Sequence, residues 1–353
     1  MFLLENYTVA VLFCFITMLC WGSWANTQKL ADKTWRYELF YWDYVFGVVL
    51  TSLVFALTLG SQGEYGQSFV ANLKQASGTS LAFAFAGGVV FNIANILLVA
   101  AIAIAGMAVA FPVGIGLALV LGVLLNYLGS AGDSGNATLL FTGVGLVALA
   151  IIFNAIAYRT LPQEEGVTKG ATKSKGLFLS VLCGVLMSLF YYFVAQSLTG
   201  VQKGDELLPL TYANLANGGT LQAGKLTPYT GNFVFALGIL VSNFVIMPIL
   251  MRKPLVGTPV AFSSYFKGGT DHLWGLIGGM IWAVGMTLNV IASGVASPAV
   301  AYGLGQGATL MSAIWGVFIW REFRKAPKST NKLLAAMFLS FIVGLGLIIW
   351  TKL

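Results

Sequence analysis

Along the chain, apolar runs of about twenty residues alternate with short polar stretches. Ten such runs lie between charged or turn residues, at 8–28, 40–60, 80–104, 107–128, 138–158, 177–199, 230–251, 272–294, 298–320 and 332–351. At a rise of about 1.5 Å per residue, twenty helical residues cross a hydrocarbon core of about 30 Å, so each run predicts one membrane-spanning helix. The breaks at Gly106 and at Ser297-Pro298 are very short. The first run lacks both a basic leader and a small-residue cleavage site, so it is expected to remain as a span.

Composition supports this pattern. Of 353 residues, 58% are apolar and 9% charged, whereas a soluble domain carries about 25% charged residues to cover its surface. A soluble enzyme, a nucleic-acid binder and a disordered scaffold are all excluded. The basic excess, 19 Lys and Arg against 12 Asp and Glu, is not spread evenly. Fifteen basic residues fall in the loops after the first, fifth, seventh and ninth runs and four fall on the opposite side. Basic loops stay in the cytoplasm, so the expected protein is a multi-pass component of the cell membrane with both termini extracytoplasmic.

An internal repeat organises the runs. A single offset of 191 places Gly87-Gly88 on Gly278-Gly279, Ala108-Val109-Ala110 on Ala299-Val300-Ala301, Phe111 on Tyr302 and Gly114-x-Gly116 on Gly305-x-Gly307. Ten residues further, Gly143-x-Gly145 meets Gly344-x-Gly346. Because the first half holds an odd number of spans, the halves have opposite orientation, an architecture that puts a substrate site near the midplane. The expected fold is an all-α polytopic membrane protein of ten helices in a 5+5 inverted-topology repeat: 1–158, a cytoplasmic linker 159–176, and 177–353.

The runs hold many carboxamides and few ionisable groups. An amide in hydrocarbon is costly unless paired, so these side chains face either a wet cavity or a neighbouring helix. Asn26, Asn92, Asn95, Gln196, Asn289 and Gln306 are the candidate cavity amides; Trp24, Tyr191, Trp282 and Trp315 are aromatic candidates whose faces suit a flat ring or a sugar. Such a lining fits a neutral polar solute. Trp35, Trp42, Trp320 and Trp350 are expected to anchor the membrane interfaces. Asp43 is the one acidic residue placed to couple protons, with the alternative that it pairs with Lys29, Lys33 or Arg36 at the surface. Glu38, Arg321 and Glu322 are expected to form a cytoplasmic gate or salt bridge. Cys14, Cys20 and Cys183 lie in apolar runs and His272 is the single histidine, adjacent to Asp271 and without an evident partner. No metal set or cofactor is expected, and no nucleic acid; the partners are lipid, a small solute and protons.

Several segments, taken in order, resemble the ureide permease family of the drug/metabolite transporter superfamily. They are Trp21-Gly22-Ser23-Trp24, Tyr41-Trp42-Asp43-Tyr44, Gly87-Gly88-Val89-Val90 through Asn95, Leu124-Leu125-Asn126-Tyr127, and Ile314-Trp315-Gly316-Val317 through Glu322-Phe323-Arg324. The resemblance implies a ten-helix carrier of the drug/metabolite transporter fold. Plant members move allantoin, uracil and related neutral heterocycles, with protons. The central loop here lacks the long hydrophilic insert of the plant pattern, which leaves regulation and substrate open. Related glucose, ribose and rhamnose porters share the fold, so a sugar porter is the alternative. An uncoupled exchanger and a membrane-embedded enzyme are the less favoured readings.

Overall fold

A computed structural model of the chain describes residues 1–31, 35–129, 135–161 and 171–353. The long helices are α1 (Tyr7–Ser23), α2 (Tyr37–Leu57), α3 (Gly78–Ala105), α4 (Gly116–Gly129), α5 (Ala137–Arg159), α6 (Ala171–Ser197), α7 (Pro228–Arg252) and α8 (Asp271–Ala296). Two short helices, α9 (Pro298–Gly305) and α10 (Ala308–Ile314), precede the last, α11 (Thr330–Trp350). Among the described residues, nine helices are long and apolar enough to cross a membrane. With almost no sheet beside them, the chain is an all-α polytopic membrane protein.

The ninth expected run departs from a continuous helix. It breaks at Gln306-Gly307, where Gly307 N–H bonds Leu304 O at 2.8 Å in a tightened turn, and it ends in a π-helical turn at Trp315–Ile319. The fourth run departs similarly. A single turn, Met107–Ala110, leads into a π-turn at Phe111–Ile115 before α4 begins. Pro112 has no N–H to give, so the regular i→i−4 ladder cannot pass through it. Of the linker expected at 159–176, residues 162–170 lie outside the described residues, and α5 and α6 reach into it from either side.

Packing follows small residues, as it must where lipid removes the hydrophobic drive between helices. A side chain at Gly279 of α8 would strike the carbonyl oxygen of Tyr44 in α2, and one at Gly88 of α3 would strike the carbonyl oxygen of Phe235 in α7. From the other side, Gly47 meets the Leu276 carbonyl, and Gly238 meets the Phe85 carbonyl. Every residue in the α2–α8 crossing has its equivalent 191 positions away in the α3–α7 crossing, with the partners exchanged. Gly143 of α5 and Gly344 of α11 likewise sit against each other's carbonyl oxygens. The breaks after α3 and α8 match too: Gly106 (φ 77°) and Ser297 (φ 80°), also 191 apart, both hold left-handed backbone.

At one end of the bundle lie Lys29, Arg36, Arg252, Lys267 and Glu322, which we call the basic end. The other carries a small antiparallel sheet, β1 (Val201–Lys203), β2 (Glu206–Leu208) and β3 (Thr220–Leu221), in the order β2-β1-β3. This segment is tied down by Leu210 N–H to Gly294 O at 3.0 Å and by Asn72, whose Oδ1 accepts from Thr227 N–H at 2.9 Å. Tyr65 and Tyr212 meet edge-on at 4.6 Å above α2 and close the sheet end.

The close crossings carry a testable consequence. Gly88→Val should destabilise the protein by about 1–3 kcal/mol through overpacking, lowering its thermal midpoint in detergent. Gly346→Val, where a side chain meets open space, should leave the midpoint nearly unchanged.

Candidate functional site

A cavity of about 410 Å³ opens at the basic end between α2, α3 and α7. Gln28, Tyr37, Ile96, Ala100 and Met247 line it, with Arg36 and Glu38 at its mouth. Arg36 Nε lies 3.1 Å from Glu38, and its guanidinium also reaches the Thr258 carbonyl, so the mouth ties the start of α2 to the loop after α7.

From Tyr37 a ladder of phenols runs into the bundle. Tyr37, Tyr41 and Tyr44 are spaced i, i+4, i+7 and so share one face of α2; successive ring centroids lie 5.1 Å apart. Tyr41 Oη donates to Asn92 Oδ1 at 2.9 Å and accepts from Asn95 Nδ2 at 3.2 Å, while Asn92 Nδ2 donates to Ser242 Oγ at 2.9 Å. Each member of this buried network has partners. The Tyr37 and Tyr44 hydroxyls, by contrast, are buried without a hydrogen-bond partner among the described residues, as is Trp21 Nε1. Leaving such a group unpaired costs on the order of 1–3 kcal/mol; of the three, Tyr37 lines the cavity.

The ladder ends at a cluster of rings. Tyr44 packs on Trp24 at 4.7 Å and on Trp282 at 6.4 Å; Trp282 in turn meets Phe91 at 4.5 Å, Trp21 at 5.9 Å and Phe235 at 6.0 Å. Phe91 and Trp282 are 191 residues apart, as are Tyr44 and Phe235. Of the residues expected to bind substrate, Trp24, Asn92, Asn95 and Trp282 therefore come together here.

The others are placed elsewhere. Asn289 Nδ2 donates to Ala301 O at 2.9 Å and Tyr191 Oη reaches the Asn289 carbonyl at 3.4 Å, so both brace α9 from behind the ring cluster, near the break at Gln306. Trp315 Nε1 donates to Ser23 Oγ at 2.8 Å, and Asn26 accepts from Trp320 Nε1 at 2.6 Å, joining the ends of α1 and of the π-turn after α10. Gln196 stands at the sheet end, where its carbonyl accepts from Lys225 Nζ at 2.6 Å. At the basic end Glu322 takes Lys29 Nζ at 2.9 Å and Tyr158 Oη at 2.7 Å, and Lys29 lies over the Trp320 ring. Arg321 begins that turn in left-handed backbone, φ 52°.

Asp43 is 5% exposed and faces the loop between α7 and α8. Its Oδ1 accepts from Tyr265 Oη at 2.5 Å, and its Oδ2 lies 2.9 Å from His272 Nδ1. Lys29 is engaged by Glu322 and Arg36 by Glu38, whereas Lys33 lies outside the described residues. The alternative of a surface pair with Lys29 or Arg36 thus gives way to His272, which does have a partner: the close approach of α2 and α8 at Gly275 brings residues 229 positions apart into contact. Burial, and then the bond to Asp43, push the Tyr265 phenol above its ordinary range and keep it a donor. Trp35, which packs edge-on against His272 at 5.1 Å, and Trp42 are buried within the protein; the interfacial role expected for them does not apply. The signals that reasoning from sequence passed over were the tyrosine spacing on α2 and the lone histidine beside a helix start.

A bundle of apolar helices with a cavity open at the basic end, where Gln28 and Tyr37 stand among aliphatic side chains, suits a membrane transporter. Comparison with known proteins supplies its kin. The family model described as ureide permease matches residues 40–168 and 167–351, and the chain belongs to that family. It is 24% identical to "Ureide permease 1" of Arabidopsis thaliana over 99% of this chain and 98% of that one. It is 23% identical to "Probable ureide permease A3" of Vigna unguiculata over 93% of this chain and 99% of the relative. A solved crystal structure shares the fold with a TM-score of 0.59 at 14% identity, covering 95% of this chain and 96% of the other.

The network predicts unequal roles for two neighbouring phenols. Tyr41→Phe should destabilise the protein by about 1–3 kcal/mol, because Asn92 and Asn95 lose their shared partner. Tyr44→Phe removes a hydroxyl that bonds nothing and should leave the thermal midpoint unchanged or slightly raised.

Proposed function

We propose that the chain carries a small neutral polar solute, a ureide or nucleobase such as allantoin or uracil, across the cell membrane by alternating access. The tyrosine ladder with Asn92 and Asn95 carries this reading. Rings offer faces to a flat heterocycle, and amides and phenols read its C=O and N–H edge without charge. The names of the relatives point the same way. In this reading the halves 1–158 and 177–353 form an inverted repeat, with α9 and α10 together as the ninth of ten spans; the exchanged glycine crossings support it. Basic loops stay in the cytoplasm, so the cavity opens inward and both termini face out. Asp43 takes the coupling proton, and its pairing with His272 gives that proton a place to be held. Glu38 and Arg36, and Glu322 with Lys29, form the cytoplasmic gate.

Thermal stabilisation of the purified protein by a panel of allantoin, uracil, ribose, rhamnose and glucose tests the solute. Stabilisation by allantoin or uracil is expected, and stabilisation by sugars alone sinks the ureide reading in favour of a sugar porter. Tyr44→Phe should raise the KM for allantoin uptake about fivefold, one hydrogen bond of about 1 kcal/mol. In proteoliposomes, Asp43→Asn should abolish accumulation driven by an imposed pH gradient while exchange continues; unchanged accumulation refutes the coupling role.

A further inference from the structure

Two members of the inner polar network, Tyr41 and Ser242, have polar equivalents on the other side of the ring cluster, while Asn92 and Asn95 fall on Ala283 and Met286. The offset of 191 carries Tyr41 to Asn232 and Ile96 to Thr287, and brings Ser242 and Asn243 back onto Thr51 and Ser52. These residues meet: Asn232 Nδ2 donates to Thr287 Oγ1 at 2.8 Å and to Ser52 Oγ at 3.3 Å. All three are buried, at 2%, 1% and 1% exposure, and the adjacent Thr51 hydroxyl is buried with no partner among the described residues. Asn232 lies one turn into α7 from the sheet end, and Thr287 and Ser52 lie in the halves of α8 and α2 that run toward that end. The inner cavity wall maps in the same way, Val99 onto Val290, Ala100 onto Ile291 and Ala103 onto Gly294. Val290 and Ile291 are now closed off, at 0% and 4% exposure.

We infer that Asn232, Thr287, Ser52 and Thr51 form a second polar half-site for the solute, walled by Val290, Ile291 and Gly294, which opens when the bundle opens at the sheet end. Exchanging the two repeats exchanges the packed and the open side, so residues that line the cavity at one end give way to their equivalents at the other. The half-site offers an amide and three hydroxyls for hydrogen bonding to a neutral solute. It lacks the phenol ladder, since Pro228, Asn232 and Phe235 stand where Tyr37, Tyr41 and Tyr44 stand on the inner side. The inference rests on the carrier reading above and not on the identity of the solute.

The test compares Ile291→Cys with Ala100→Cys in the full chain, with Cys14, Cys20 and Cys183 replaced by Ala, reconstituted in liposomes of known orientation. A membrane-impermeant maleimide should label Cys at 291 only from the sheet side and Cys at 100 only from the basic side. Labelling of 291 from the basic side, or none in a variant that still transports, overturns the inference. Should Ile291→Cys fail to reconstitute, Val290→Cys against Val99→Cys makes the same comparison. Asn232→Ala should raise the KM for allantoin entering from the sheet side about thirtyfold, for two hydrogen bonds of about 1 kcal/mol each, and that for entry from the basic side less than about twofold; equal changes overturn it. Opposite-face labelling in a protein that moves no allantoin sustains the half-site and rejects the ureide reading instead.

Discussion

Everything in this bundle depends on two places where backbone meets backbone. At the crossings of α2 with α8 and of α3 with α7, a glycine on one helix receives a carbonyl oxygen from the other, and the reverse contact lies one turn along. In a membrane, helices gain nothing by hiding apolar surface from lipid, so close van der Waals contact has to hold them. The approach also settles what stands beside it. Tyr44 and Phe235, whose carbonyls fill the glycine notches, bring their own rings toward Trp282 and Phe91.

The ring cluster and the polar groups around it follow from that geometry. Rings interlock at the middle, where Tyr44 and Trp282 are buried, while the cavity at the basic end is lined no deeper than Tyr37, Ile96 and Met247. Polar groups on the cavity side are divided by satisfaction: Tyr41, Asn92 and Asn95 hold one another in place, while the Tyr37 and Tyr44 hydroxyls have nothing to bond. The first set fixes the shape of the site. The second is held by packing alone.

Much of the architecture was legible in the residues because membrane helices write themselves as apolar runs of fixed length. Glycines at 87, 88, 278 and 279 share one offset, as do the helix crossings they form, and Asn92 with Asn95, three apart on one face, disclosed where the amides gather. Other features required the third dimension. Asn26, Trp315, Gln196 and Asn289 have the same chemistry as the central residues, yet they brace helix ends or the broken α9, since a carboxamide satisfies a neighbouring carbonyl as readily as a ligand. The partner of Asp43 was hidden by a separation of 229 residues along the chain. Local rules also favoured a continuous ninth helix, and only the turn at Gln306-Gly307 shows the chain preferring to bend there.

His272 is the only imidazole in the sequence, and it sits 2.9 Å from the carboxylate of Asp43. The chain therefore carries its own reporter: in an untagged sample, any imidazole resonance or vibrational band arises from this one pair. The contact between α2 and the start of α8 can thus be followed spectroscopically in the intact protein, without introducing a probe.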